Sequence, residues 1–221
     1  MKSPIVVAVL MLSMTACGYM KPHEKAALHQ AESAGLVSVK KPHFDVSFAL
    51  PNTQFAQYKK IILSDLDFSS TKVITPSTMR PFEAPWELTD EDKKYYQSKY
   101  TASATNYLFG DKDYSLAAAP ASDTLLLKTR ITEIAPLASK DDLKSRPNLM
   151  DVYSEGFGRM TIVFELYDSV SNKLIAVTTD EHDLGRIWEK NNRVQNNFQI
   201  KLAFDFWMRN LKDELEALSK K

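Results

Sequence analysis

Apolar and polar positions alternate with period two along part of this chain and recur every three to four residues in two other parts. Within 123–134, Leu125, Leu127, Thr129 and Ile131 alternate with Leu126, Lys128, Arg130 and Thr132, which predicts a strand with one apolar and one polar face. Residues 159–167 and 173–179 predict two further strands. Met160, Ile162, Phe164 and Leu166 share one face of the first and Glu165 takes the other, while the turn-rich run Asp168-Ser169-Val170-Ser171-Asn172 joins the pair as a hairpin. In 58–66, Ile61, Ile62 and Leu63 stand together between polar residues and predict a strand buried on both faces. A short strand over 114–118 ends near Pro120.

Helical periodicity marks two segments. Thr89 and Asp92 form a capping-box pattern, Tyr96, Tyr100, Ser103 and Tyr107 follow at helical spacing, and Gly110 is a natural stop. The tyrosine stripe is expected to pack on a sheet, not to serve as a sugar platform. The last helix carries Trp207, Leu211, Leu215 and Leu218, thickened by Phe198, Leu202 and Phe206, with Asn196 or Asn197 as its cap and Lys220 and Lys221 at its dipole-favourable end. Between these elements, 69–85 carries Pro76, Pro81 and Pro85 and reads as a long ordered loop exposing Arg80, Phe82 and Trp86, and 135–153 reads as a charged excursion. The expected fold class is α+β: a mostly antiparallel sheet of four to five strands with two main helices packed on one face.

The N-terminus has a different pattern. Lys2 precedes an apolar run over 5–12, and Thr15 and Ala16 precede Cys17. The run is too short for a helix across a hydrocarbon core, which needs about 20 residues. It resembles a bacterial lipoprotein signal, in which the cysteine takes lipid and the chain is cut before it; Met14 stands where leucine is usual. Gly18, not aspartate, follows Cys17, and by that analogy the protein is expected at the outer membrane, facing the periplasm. The expected organisation is a signal peptide over 1–16, a lipidated cysteine and tether over 17–44, and one periplasmic domain over 45–221. The tether includes a short helix over 24–33 ended by Gly35, and about 20 residues of coil reach roughly 25 Å.

Composition narrows the function classes. The 28 basic and 28 acidic residues cancel, and there is no long basic run, so nucleic acid is not an expected partner and electrostatic docking to membranes gains no support. With the single cysteine taken by lipid, no thiol remains for a disulfide, a nucleophile or a zinc site. His23, His29 and His43 lack a ligand spacing, and no metal or cofactor is expected. Gly-x-Ser-x-Gly, His-Glu-x-x-His and phosphate-loop patterns are absent. Gly156-Phe157-Gly158-Arg159 precedes a strand and predicts a bend or bulge.

Two polar clusters remain. Asp180 and His182 would share a strand face and could orient a base, the pattern a hydrolase would need; a solvated strand end is the plainer reading. Arg186, Trp188 and Arg193, together with Arg80 and Trp86 of the proline-rich loop, form a candidate partner surface, because Trp and Arg are favoured at binding hot spots. The alternative is that Trp188 covers the sheet edge.

Five stretches carry a family resemblance: 58–63, 88–108, 123–136 ending in Thr-Glu-Ile-Ala-Pro, 157–177 with Glu-Leu-Tyr-Asp-Ser, and 198–218 with its central Phe-Trp. The chain resembles the uncharacterised Gram-negative lipoprotein family known as domain of unknown function 3313. The resemblance implies no reaction. Its layout is also similar to small periplasmic lipoprotein domains that assist envelope machines. The expected function is thus a membrane-anchored, non-catalytic binding or accessory module for an envelope protein complex. A binder of a lipid or peptidoglycan fragment is the alternative, and a hydrolase the third class.

Overall fold

The computed structural model describes residues 20–75, 86–110, 113–142 and 151–220. In chain order the elements are α1 (Pro22–Ala34), β1 (Val37–Ser38), β2 (Val46–Ala49), β3 (Lys60–Asp67), β4 (Lys72–Val73), α2 (Asp90–Ser103), β5 (Ser115–Leu116), β6 (Thr124–Pro136), β7 (Tyr153–Glu155), β8 (Gly158–Asp168), β9 (Leu174–Asp183), β10 (Trp188–Lys190) and α3 (Arg193–Ser219). Among the described residues no helix is long and apolar enough to cross a membrane.

The expectation of four to five mostly antiparallel strands with helices on one face is overturned. The main sheet has eight strands in the order β1-β2-β9-β8-β6-β3-β5, with β4 also on β6, and β7 and β10 form a separate two-stranded ribbon. It is mixed: β3 runs parallel to both β6 and β5, and β4 parallel to β6, whereas β6–β8–β9–β2–β1 is antiparallel. The parallel step has a plain cause. β3 and β6 are joined through α2, and a helical crossover returns the chain in the same direction, whereas the five-residue turn after β8 reverses it.

Side-chain parity then distributes the helices. Met160, Ile162, Phe164 and Leu166 of β8, with Leu125, Leu127 and Ile131 of β6, face α2 and α3 in the main core, where Trp207, Phe204 and Tyr100 are fully buried. Thr129 belongs to this face too, accepting or donating a 2.8 Å bond with the Tyr100 hydroxyl. The opposite face carries Val163 and Val177, which pack with Phe48 and with Ala27 and Ala31 of α1. The third helix therefore covers the face expected to be solvated, and the stretch expected as tether is folded from Pro22 onward. α1 forms because Pro22 stands in its first turn, the Lys21 N–H donates to Glu24 Oε2 at 2.7 Å, and Gly35 closes it in the left-handed region at φ 71°. Two alanines one turn apart let its backbone approach the sheet.

The expected α2 cap is present: Thr89 N–H donates to Asp92 Oδ2 at 2.8 Å and Thr89 Oγ1 accepts from Asp92 N–H. The cap of α3 is Asn192, whose side chain accepts from Gln195 N–H at 3.0 Å, so the helix starts a turn before the expected Asn196 or Asn197. Gly156 and Gly158 both have positive φ, and a Cβ on Gly158 would lie 2.1 Å from the Ala135 carbonyl oxygen, so the bend there demands glycine.

Candidate functional site

Two regions of the described surface concentrate chemistry. The first is an open cleft of about 590 Å³ beside the start of α1, floored by the sheet face that α1 only partly covers. Its charged lining is Lys21, Lys72, Arg130, Glu133, Arg159 and Glu181, one or two from each of the converging elements. Buried Glu165, next to Gln30 and Arg130 of the lining, is fully engaged: it accepts from Arg130 at 2.6 Å, Gln30 Nε2 at 2.7 Å and the Tyr167 hydroxyl at 2.9 Å. Those bonds pin α1 to β6 and β8. Glu181 accepts from Lys21 Nζ at 3.1 Å and lies 3.9 Å from Arg159. Burial opposes the charge on Lys21, but Glu181, Asp45 and Glu24 outweigh it and raise its pKa.

Other groups in the cleft are unengaged. Lys72 and Glu133 are register partners on parallel strands β4 and β6, so their side chains leave the sheet on the same side, yet neither makes an ion pair among the described residues. Arg130 Nε and Thr132 Oγ1 are buried with no hydrogen-bond partner. Thr132 sits at the β6 bulge, between Ile131 and Glu133. Among the described residues no phenylalanine, tyrosine or tryptophan lines the cleft.

At its rim, His23 Nε2 is 2.9 Å from Asp45 Oδ2, and Glu24 is close enough that one atom of each of the three could meet a cation. Lys21 Nζ already stands 3.8 Å from Asp45 and supplies positive charge there. His43 lies elsewhere, its backbone N–H donating to Glu214 of α3.

The second region is the β7–β10 ribbon with the first turns of α3. Trp188 pairs in register with Glu155, and the ribbon is held to the body by Phe157 N–H to Leu184 O at 2.7 Å and by buried Asn191, whose side chain donates to Ser154 Oγ. Gly156 and Gly185 pass so closely that a Cβ on Gly156 would sit 2.2 Å from the Gly185 carbonyl oxygen. Trp188 is 69% exposed, with Ile187 and Tyr153 also exposed beside it. It does not cover the edge of the main sheet. On α3, Val194 (78% exposed), Phe198 and Leu202 recur one turn apart as an exposed apolar stripe, next to where Gln199 lies against Gly185.

The residues singled out in the sequence are thus dispersed. Cys17 and Arg80 lie outside the described residues. Trp86 is half-buried against the core, beneath Lys140 Nζ at 4.3 Å from its ring, and shares a groove of about 490 Å³ with Arg193, which pairs with Glu91. Arg186 pairs with Asp183 at 3.1 Å and lines a different depression, on the ribbon side. Asp180 and His182 do share a face, but α3 uses it: Trp207 Nε1 donates to Asp180 Oδ2 at 2.8 Å, and His182 stacks on Phe206 with ring centroids 4.5 Å apart. Burial pushes the Asp180 carboxyl up to about 6 and holds the imidazole of His182 below its ordinary value.

Lys72, Arg130, Glu133 and Arg159 went unnoticed in the sequence. For Arg130 and Glu133 the signal is the polar side of 123–134, which reads as solvated until a helix is assigned to cover its neighbours; Lys72 and Arg159 carry no pattern that joins them to it.

The architecture is thus an eight-stranded mixed sheet with helices on both faces and a charged cleft on one side. The chain belongs to the family described as protein of unknown function (DUF3313), whose model matches residues 30–211. Among solved structures it is similar to a PelC dodecamer from Paraburkholderia phytofirmans, at 11% identity and TM-score 0.39, covering 75% of this chain and 96% of that one. It is also similar to a Xanthomonas campestris protein of the family model DUF330, at 6% identity and TM-score 0.39, covering 78% and 91%. The comparison with curated proteins found no match.

Proposed function

We propose that this chain is a lipoprotein of the Gram-negative cell envelope, anchored through Cys17 at the periplasmic face of the outer membrane, that acts by non-covalent binding to an envelope protein. The observation that carries this reading is Trp188, held out on a ribbon separate from the main sheet with Ile187 and Tyr153 also exposed on it, just ahead of the exposed Val194–Phe198–Leu202 stripe of α3. Exposed aromatic and aliphatic groups gathered beside arginine are the composition of a protein-binding hot spot. Anchoring raises the effective concentration of that surface toward other envelope proteins. Membership of DUF3313 is consistent with a non-catalytic role but names no partner.

The test places a photo-reactive amino acid at Trp188 and, in a second strain, at Val170, which is also exposed but lies at the hairpin turn between β8 and β9. Irradiation in cells should give a protein adduct of defined mass from position 188 only. No adduct, or the same adduct from both positions, would overturn the partner surface. The intact mass of the purified protein separately reads whether Cys17 carries lipid.

A further inference from the structure

The cleft beside α1 contains groups that the fold itself does not use. Lys72 and Glu133 face the same space with opposite charges and no ion pair, and Arg130 Nε and Thr132 Oγ1 are buried without partners. A buried polar atom left unpaired forfeits the hydrogen bonds that it made to water, so a bound group that satisfied both would recover stabilisation. An anion could accept from Arg130 Nε, the Thr132 hydroxyl and Lys72 together. A cation beside it could meet Glu133.

We infer that this cleft binds a zwitterion in which a phosphate sits one short linker from a primary ammonium, the phosphoethanolamine head group of a bilayer lipid. Three features of the molecule select this chemistry. The volume, about 590 Å³, lies within the range of small-molecule sites and accommodates a head group with part of its glycerol. A primary ammonium can donate hydrogen bonds to Glu133, whereas a quaternary ammonium needs an aromatic cage, and among the described residues no phenylalanine, tyrosine or tryptophan lines this cleft. The third feature is position, and it rests on the lipid-anchor reading above. Lys21, on the rim, follows Cys17 by only four residues, a span of at most roughly 15 Å at full extension. Since α1 starts at Pro22 and is pinned to the sheet through Gln30 and Glu165, the cleft mouth is leashed close to the bilayer that holds the anchor. Head groups are the zwitterions present there at high local concentration.

The experiment titrates the full-length protein, in micelles of a neutral detergent free of ethanolamine lipids, with water-soluble glycerophosphoethanolamine. Glycerophosphocholine, inorganic phosphate and alanine are titrated in parallel. Saturable binding of glycerophosphoethanolamine is expected, with each of the other three weaker by about tenfold or more, the loss of one charged hydrogen bond. Lys72→Ala and Glu133→Gln should each weaken it by a similar factor. Both residues are free of structural ion pairs, so the variants should keep the wild-type melting temperature. Absence of saturation overturns the inference, as does phosphate binding equal to glycerophosphoethanolamine, which would leave Glu133 without a role. Alanine binding equally well would assign the cleft to free amino-acid zwitterions and overturn the head-group source. The intact mass of the same sample separates the two readings. Binding by protein that lacks lipid on Cys17 would sink the anchor and leave the cleft chemistry standing.

Discussion

The indole N–H of Trp207 and the carboxylate of Asp180 meet at 2.8 Å in the interior, tying the middle of α3 to β9. The other carboxylate oxygen accepts from the Asp45 N–H at 3.2 Å, so two donors hold a buried charge. Burial nonetheless dominates and lifts this carboxyl to about 6. A carboxyl whose folded pKa is raised favours the native state fully below its ordinary value of 3.8, and that contribution is lost as pH rises through 6. His182 works in the opposite sense: its lowered pKa gives stability above its ordinary value of 6.5 that is lost on acidification. Asp180→Asn isolates the carboxyl's contribution. The stability of the variant relative to wild type should rise between pH 4 and pH 7, by on the order of 2–3 kcal/mol, read by chemical denaturation across that range. A difference that stays flat with pH would mean that Asp180 is not perturbed.

The two exposed and buried tryptophans make a contrast that tests the surface assignment. Trp188→Ala should change stability by no more than about 0.5 kcal/mol, because its side chain is mostly in water. Trp207→Phe keeps most of the packing but deprives Asp180 of a donor, and should cost about 1–3 kcal/mol. Unfolding of the Trp188 variant would show that this residue packs, and the ribbon would lose its claim as a docking surface.

Two glycines of positive φ separate backbone strain from steric conflict. Nothing lies within 4 Å of a Cβ built on Gly35, so Gly35→Ala should cost only about 1 kcal/mol for the left-handed conformation. At Gly158 the same change adds a collision with the Ala135 carbonyl across the β6–β8 ladder, and should cost several-fold more, roughly 3 kcal/mol or above. Equal melting temperatures for the two variants would contradict the packing described for that bend.

Arg130→Met tests the joint between α1 and the sheet. Glu165 would keep Gln30 and Tyr167 as neutral donors but lose its cation, at an expected cost of about 2 kcal/mol. A double-mutant cycle with Gln30→Ala should show coupling, since both side chains share one carboxylate oxygen. Additive effects would mean that α1 is held by its alanines alone.

The long elements were legible because their periodicity persists for two or more turns or pleats. The alternation of Leu125, Leu127 and Ile131 placed β6, and Trp207, Leu211 and Leu215 placed α3. The miscount of strands has a specific cause. β1 and β4 are two residues each, too short to carry a period of two, and β2 is the four residues Val46–Ala49; β5, equally short, is legible only as the run ahead of Pro120. The helix over 24–33 with its Gly35 stop is legible, but its docking on the sheet is not, because its buried face is two alanines, and small residues give little amphipathic signal even when they permit the closest packing. Reading that helix as part of a tether hides the cleft. Without a helix over Val163 and Val177, Arg130 and Glu165 read as ordinary solvated residues. The shared face of Asp180 and His182 was readable from strand parity, but which element lay against it was a tertiary fact.

The two ends of the main sheet are two-residue strands, Val37–Ser38 and Ser115–Leu116. Each offers a neighbouring chain only a pair of residues on which to extend the ladder, and β1 is preceded at once by the packed turn of Gly35. A protein confined to a surface meets its own copies far more often than one in free solution, and open sheet margins are where such meetings become aggregates. On the lipid-anchored reading proposed above, blunt margins would allow dense coverage of a membrane without fibre formation, leaving lateral association to side chains instead of backbone.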